Sequence, residues 1–259
     1  VTASAATTPA LETRGLTIRF GGHVAVNDVS CRFTPGTLTA IVGPNGAGKT
    51  TYFNLISGQL RATSGQVLVE GEDVTSLAPS ARAKRGLGRA FQLTNLFPDL
   101  TALENVRLAV QSRAEAGWSL LRVWNSRRDL IEKAEEILER VRLGDKRHIA
   151  PKALSHGDQR KLEVALLIAM EPKVFMFDEP TAGMSVDEVP TVLELIHDIK
   201  QRGDATVLLV EHKMDVVRSL ADRIIVLHNG TLVADGDPAA VIASPVVQEA
   251  YLGIEAGHA

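Results

Sequence analysis

The stretch GPNGAGKTT, Gly43 to Thr51, decides how this chain is read. It places Gly43, Gly48, Lys49 and Thr50 at the fixed positions of the pattern G-x-x-x-x-G-K-[ST]. Immediately before it runs TLTAIV, β-branched and apolar like a buried strand. Immediately after it, TYFNLISG suits a helix closed by Gly58. Strand, glycine-rich loop and helix together make an anion cradle. The glycines let the backbone bend tightly and turn its N–H groups inward, and the helix N-terminus adds a favourable dipole. Gly43, Pro44, Asn45, Gly46, Ala47, Gly48, Lys49, Thr50 and Thr51 are therefore expected to surround the phosphates of a nucleoside triphosphate. Lys49 would reach the β- and γ-phosphates, and the Thr50 hydroxyl would bind Mg²⁺. The competing reading, a glycine-rich turn by chance, does not account for the flanking strand and helix.

The chain has 259 residues, 45% hydrophobic and 23% charged, enough for one large globular domain or two small ones. A formal net charge of -3 supplies no global basic field, so no nucleic-acid partner is expected. Cys31 is the only cysteine, so no intrachain disulfide forms and a reducing compartment is expected. Its place in VNDVSCRF marks a small buried strand residue. No apolar run approaches about 18 residues, so any membrane role has to come through a partner. The opening VTASAATTPA, residues 1–10, has neither the basic end nor the apolar core of a signal peptide and reads as a disordered tail.

From Leu11 to Phe33 the text alternates as a hairpin does, turning at Gly21-Gly22. A second strand pair is expected around QVLVEGEDV, turning at Gly71. A short helix from Pro79 to Arg85 and a strand LGRAFQ ending at Gln92 follow. Thr101 to about Leu143 is helical in pattern: Leu130, Ile131, Ala134, Ile137, Leu138 and Val141 share one face. Between the two helices of this region lies RAEAGWSLLRVWNSRRD, basic and carrying Trp118 and Trp124. It is either a solvated helical insertion or a contact surface for a partner or lipid headgroups. Alternation resumes at Ser155. A helix of about sixteen residues leads to KVFMFD, VDEVPTVLELIHDIKQ to ATVLLV, and MDVVRSLA to RIIVLHNG, with SPVVQEAYLGIEAGHA as a tail. Such alternation predicts a parallel sheet covered by helices on both faces.

A phosphate cradle becomes a hydrolase only with a metal-holding carboxylate and a base for water. KVFMFDEP supplies both. Val174 to Phe177 put Asp178 at the carboxyl end of a buried strand, where an open parallel sheet places its ligands. Asp178 is expected to hold Mg²⁺ and Glu179 to act as general base. Acidic residues after strands also cap helices, which is the alternative.

The order GPNGAGKT, Gln92 after a strand, LSHGDQ, VFMFDEP and VEHK resembles the nucleotide-binding subunit of an ATP-binding cassette (ABC) transporter, over about Leu11 to Gly253. The fold this implies is the α/β P-loop NTPase ABC ATPase fold. It has a mainly parallel core sheet, an antiparallel β region and a helical subdomain of about residues 93–160, in one domain spanning 11–253, with 254–259 as a C-terminal tail. The resemblance also implies roles. Phe20 would stack on adenine, although a strand-core phenylalanine is the alternative. Gln92 would contact Mg²⁺ and the water, on a loop facing the membrane subunits. His212 would contact the γ-phosphate. Ser155 and Gly157 would touch the γ-phosphate of ATP held by a second cassette. LSHGDQ departs from the usual LSGGQ at His156 and Asp158, and AGMS, Ala182 to Ser185, stands where SALD is common.

HG in the signature, AGM after Glu179, the Trp-bearing insertion and AYLG near the end resemble the importer subgroup for branched-chain amino acids and for urea and amides. The resemblance implies an ATPase peripheral to the cytoplasmic face of the inner membrane, using ATP and Mg²⁺. Its partners would be transmembrane permease subunits, a second cassette (identical or related) and, indirectly, an extracytoplasmic solute-binding protein. A lipopolysaccharide-extracting ATPase and a soluble non-transport ATPase are the alternatives. The first lacks the Trp-bearing insertion, and the second usually carries paired cassettes, long coiled coils or zinc cysteines.

Overall fold

The computed structural model describes residues 8–90, 96–114 and 128–252. The chain divides into two compact units. The first takes the chain up to Leu87, then Lys173–Glu179, then Ile199 onward; the second takes Gly88–Pro172 and Pro180–Asp198.

In the first unit, β1 (Leu11–Phe20) and β2 (His23–Phe33) form the expected hairpin. Strand β3 (Leu38–Val42) runs into the phosphate loop, and helix α1 (Lys49–Ser57) leaves it, ending at Gly58. Strands β4 (Ser64–Val69) and β5 (Glu72–Asp73) complete an antiparallel sheet of order β2-β1-β4-β5. Helix α2 (Pro79–Lys84) follows, and strand β6 (Leu87–Ala90) is where the chain crosses into the second unit. The run LGRAFQ was expected to continue to Gln92, which lies outside the described residues.

The second sheet of the first unit contains β7 (Val174–Asp178), β8 (Thr206–Val210), β9 (Arg223–His228) and β10 (Thr231–Gly236) beside β3, in the order β10-β9-β3-β8-β7. Strands β3, β7, β8 and β9 are parallel. Every residue of β3, β7 and β8 is buried, as a parallel strand covered on both faces must be. Between this sheet and the antiparallel one lies a core in which Tyr52, Phe53, Leu55 and Ile56 of α1 pack with Leu16, Phe33, Ile41, Met176 and Leu208. The Tyr52 hydroxyl, fully buried, is satisfied by Thr13 Oγ1 at 2.8 Å. Cys31 is buried in this core, and burial pushes its thiol up to about 11. It stays protonated and unreactive. On the other face Val42, Ile224 and Val226 pack with Val217 of α7 (Met214–Leu220), Val241 of α8 (Pro238–Ile242) and Val247 of α9 (Pro245–Leu252).

Arg82 of α2 joins these layers. It is 2% exposed, and its guanidinium donates to the carbonyls of Leu55 and Ile56 at 2.7 and 2.6 Å, Thr75 at 2.7 Å and Leu77 at 3.1 Å. The cation thus caps the negative end of α1. Arg82→Met strands these carbonyls in the interior. It is expected to cost about 3 kcal/mol and to lower Tm by roughly 6–12 °C, read by calorimetry. A Tm within 2 °C of the parent would show that water replaces the guanidinium.

In the second unit α3 (Ala102–Arg113) starts with a capping box, Thr101 Oγ1 accepting from Glu104 N–H while Glu104 accepts from Thr101 N–H. It packs with α4 (Arg128–Arg140) and α5 (His156–Met170). Leu130, Ala134, Ile137 and Leu138 form the buried face of α4, with Val141 buried just beyond it. Ile131, read onto that face from the pattern, is only half-buried. Trp118 and Trp124 lie outside the described residues.

Two stretches differ from the sequence reading. Helix α6 (Val189–Gln201) begins three residues later than VDEVPTV suggests. In a helix begun at Val186, Pro190 would lack the N–H for the Val186 carbonyl and its ring would clash with it, so residues 185–188 form a turn closed by Glu188 N–H on Ser185 O at 3.1 Å. The run SPVVQEAYLGIEAGHA, read as a tail, contains helix α9; ahead of it the chain turns at Asn229 and Gly230, both at positive φ, and returns as β10 antiparallel to β9, followed by α8.

Candidate functional site

The register of the parallel strands assembles the site. Ile41 of β3 and Asp178 of β7 both pair with Val210 of β8, so three carboxyl ends lie side by side. From these ends hang the phosphate loop, the pair Asp178-Glu179, and Glu211-His212.

Two glycines explain the loop's shape. Gly48 has φ 96, and a Cβ on it would lie 2.5 Å from Ala25 O; one on Gly43 (φ 149) would lie 2.1 Å from Leu227 O. Any side chain at either position would collide with fixed backbone. Lys49 opens α1, is 5% exposed, and donates from Nζ to Gly43 O at 2.7 Å and Pro44 O at 2.8 Å. The loop therefore closes around the ammonium. Burial lowers the Lys49 pKa, and the charges of Glu179 and Asp178 oppose that shift. Ala47 is buried and holds Gly230 N–H at 3.0 Å through its carbonyl. Asn45, Gly46 and Thr50 are exposed, and Pro44 and Thr51 half-buried.

Asp178 is 8% exposed at the end of β7. Glu179 follows at φ 50, a conformation a non-glycine residue adopts at a cost of about 1 kcal/mol or more. The strain turns its carboxylate out of the sheet line, where Glu179 Oε1 lies 2.7 Å from His212 Nε2. Both side chains remain about two-fifths exposed, open to water. Phe20, the last residue of β1, is 50% exposed, which removes the strand-core alternative. Gln92 lies outside the described residues. Ser155 and Gly157 belong to the second unit, at the start of α5. Ser155 is exposed and caps the helix, its Oγ accepting from Asp158 N–H at 3.2 Å.

The chain matches the ABC transporter family over residues 26–182 and the family described as branched-chain amino acid ATP-binding cassette transporter over residues 231–257. It is 36% identical over 250 residues to the high-affinity branched-chain amino acid transport ATP-binding protein LivG of Escherichia coli (strain K12), covering 95% of this chain and 98% of that one. The chain belongs to the ABC transporter ATP-binding family. A second relative of the same printed function, BraF of Pseudomonas aeruginosa, is 37% identical over 95% of this chain and 98% of its own. Among solved structures, the ADP conformation of MJ1267, an ATP-binding cassette of an ABC transporter, is 30% identical with a TM-score of 0.80. It covers 94% of this chain and 98% of that one. A dimeric post-hydrolysis state of the cassette MJ0796 bound to ADP and Pi is 26% identical at a TM-score of 0.75, over 88% and 98%.

This ABC cassette therefore binds nucleotide and hydrolyses ATP. No described helix is long and apolar enough to cross a membrane. Two functional-site features of this ABC ATPase escaped sequence reading. Glu211, 3% exposed, accepts from the backbone N–H of His212 at 2.8 Å and of Lys213 at 3.4 Å, and so fixes the turn that presents the imidazole. Asp158, the departure in the signature, accepts from Lys146 Nζ at 2.5 Å and Lys161 Nζ at 3.0 Å. Burial opposes its charge, but the two lysines prevail and hold its carboxyl below the ordinary value. Its negative charge is neutralised inside the second unit rather than offered to a nucleotide.

Proposed function

We propose that this chain is the ATP-hydrolysing subunit of an importer for branched-chain amino acids. Its place is the cytoplasmic face of the membrane, with permease subunits, a second identical or related cassette and, indirectly, an extracytoplasmic solute-binding protein. The observation that carries the solute class is the full-length likeness to two proteins named for that transport, together with the match at residues 231–257.

The adenine stacks on the exposed Phe20 ring, and the loop N–H groups and the Lys49 ammonium take the phosphates. One carboxylate and one hydroxyl, Asp178 and Thr50, suit Mg²⁺, which draws its other ligands from phosphate and water; Gln92 is the further ligand assigned there. Held there, the ion would supply charge neutralisation on the phosphates. Glu179 takes a proton from the attacking water, and His212, bonded to Glu179 and steadied by Glu211, contacts the γ-phosphate. Ser155 and Gly157 of the second cassette close the open side, so two cassettes hold two ATP molecules head to tail. Closure excludes water and strengthens each contact, and the Gln92 loop passes the movement to the permeases.

The test is uptake of labelled leucine into proteoliposomes holding the chain with its permeases and binding protein. ATP-dependent uptake, competed by isoleucine and valine and lost in Lys49→Ala, is the expected result. Lys49→Ala is expected to weaken ATP binding about a hundredfold, a charged contact on the phosphates being lost. ATP turnover with no branched-chain amino acid moving would overturn the assignment of solute.

A further inference from the structure

The signature loop already has an anion seated on it. Glu188, half-buried at the end of the turn 185–188, lays its carboxylate across the first turn of α5. Ser155 Oγ donates to Glu188 Oε1 at 3.3 Å. Ser185 holds the other oxygen, donating from Oγ to Oε2 at 3.0 Å and from N–H at 3.4 Å. Against Gly157 the approach is closer still: a Cβ there would fall 2.2 Å from Oε1 and 2.3 Å from Cδ of Glu188. All four residues lie in the second unit.

Of the two groups assigned to the partner's γ-phosphate, the Ser155 hydroxyl is thus bonded to a carboxylate of the same chain, and that carboxylate also lies against the Cα of Gly157. The positive end of α5 favours an anion, and Glu188 provides one. A carboxylate and a phosphate cannot share that position, because they overlap in space and repel in charge. We propose that Glu188 is an internal competitor for the signature site and sets the ATP concentration at which two cassettes pair. The inference rests on the head-to-tail pairing above. Ser185 belongs to the same device, since a hydroxyl there holds the carboxylate where an acid would repel it. Lys146, bonded to Asp158 at 2.5 Å, lies near enough for the Glu188 charge to add to the rise in its pKa that this bond causes first.

The experiment follows pairing of the Glu179→Gln chain by light scattering as ATP is raised. Adding Glu188→Gln is expected to lower the half-pairing ATP concentration about two- to fivefold, the size of a charge effect at a helix terminus. Glu188→Ala, which also removes the hydrogen bonds, is expected to shift it the same way. ATP binding by single cassettes should be unchanged, because the phosphate loop is built from other elements. A half-pairing concentration that is unchanged or higher in both variants overturns the competitor role and leaves Glu188 as a brace between two loops. Ser155→Arg in the same background tests the underlying reading separately. If that variant pairs normally, or if the Glu179→Gln parent stays monomeric in saturating ATP, head-to-tail self-pairing is wrong and the inference falls with it.

Discussion

Glu179→Gln is expected to bind ATP as the parent does and to hydrolyse it roughly 10²–10⁴ times more slowly. The amide is nearly isosteric with the carboxylate, so the strained backbone at φ 50 and the approach to His212 at 2.7 Å can both persist. What disappears is the lone pair able to take a proton from water. Binding stays because the groups proposed to hold the phosphates, Lys49 and the loop N–H groups, are untouched. Single-turnover hydrolysis measured alongside nucleotide affinity separates the two effects. Turnover near the parent's with normal affinity would remove Glu179 as the base and move attention to His212.

Ser155→Arg is the second large effect. In the assembled transporter it should reduce cooperative turnover by about a hundredfold or more, the cost of losing an essential donor on developing charge, while ATP binding by the isolated cassette survives. The long side chain fills the space in front of α5 that the partner's ATP would enter in the proposed arrangement. It also removes the Ser155 cap, worth about 1 kcal/mol. The grip of Lys146 and Lys161 on Asp158 retains the first turn. Ser155→Ala gives the comparison, since it loses the same cap without the bulk. Loss of monomer ATP binding in Ser155→Arg, or full turnover in the transporter, would exclude the head-to-tail arrangement.

What could be read from sequence was set by how local the physics is. Gly43 and Gly48 are demanded by backbone contacts no other residue tolerates, so the phosphate loop announces itself. The fully buried strands β3, β7 and β8 appear as unbroken apolar runs, and α4 shows its buried face as a helical period. Pro190 is equally local: its missing N–H bars an earlier start of α6 even within the apolar period around it. The Asn229-Gly230 turn belongs to the same class: two positive-φ residues between β-rich runs specify a hairpin. By contrast, Lys146 and Asp158 are 12 positions apart and Ser155 and Glu188 are 33 apart. Glu211 serves its neighbour only because the chain turns just there. Such pairings follow from the packed fold and leave no periodic trace.

The level carboxyl ends of β3, β8 and β7 make the central sheet a measuring frame for the chemistry. Adjacent strands stand about 4.8 Å apart, so the groups hung on the outer two face each other across about 10 Å, a span set by backbone hydrogen bonds rather than by side-chain packing. A side-chain substitution in this frame leaves the spacing unaltered. Removing one residue from β8 would instead draw Glu211 and His212 back by about 3.3 Å and turn each following side chain to the opposite face. The cassette can therefore vary the letters after its strands, as at Ser185, far more freely than the number of residues within them.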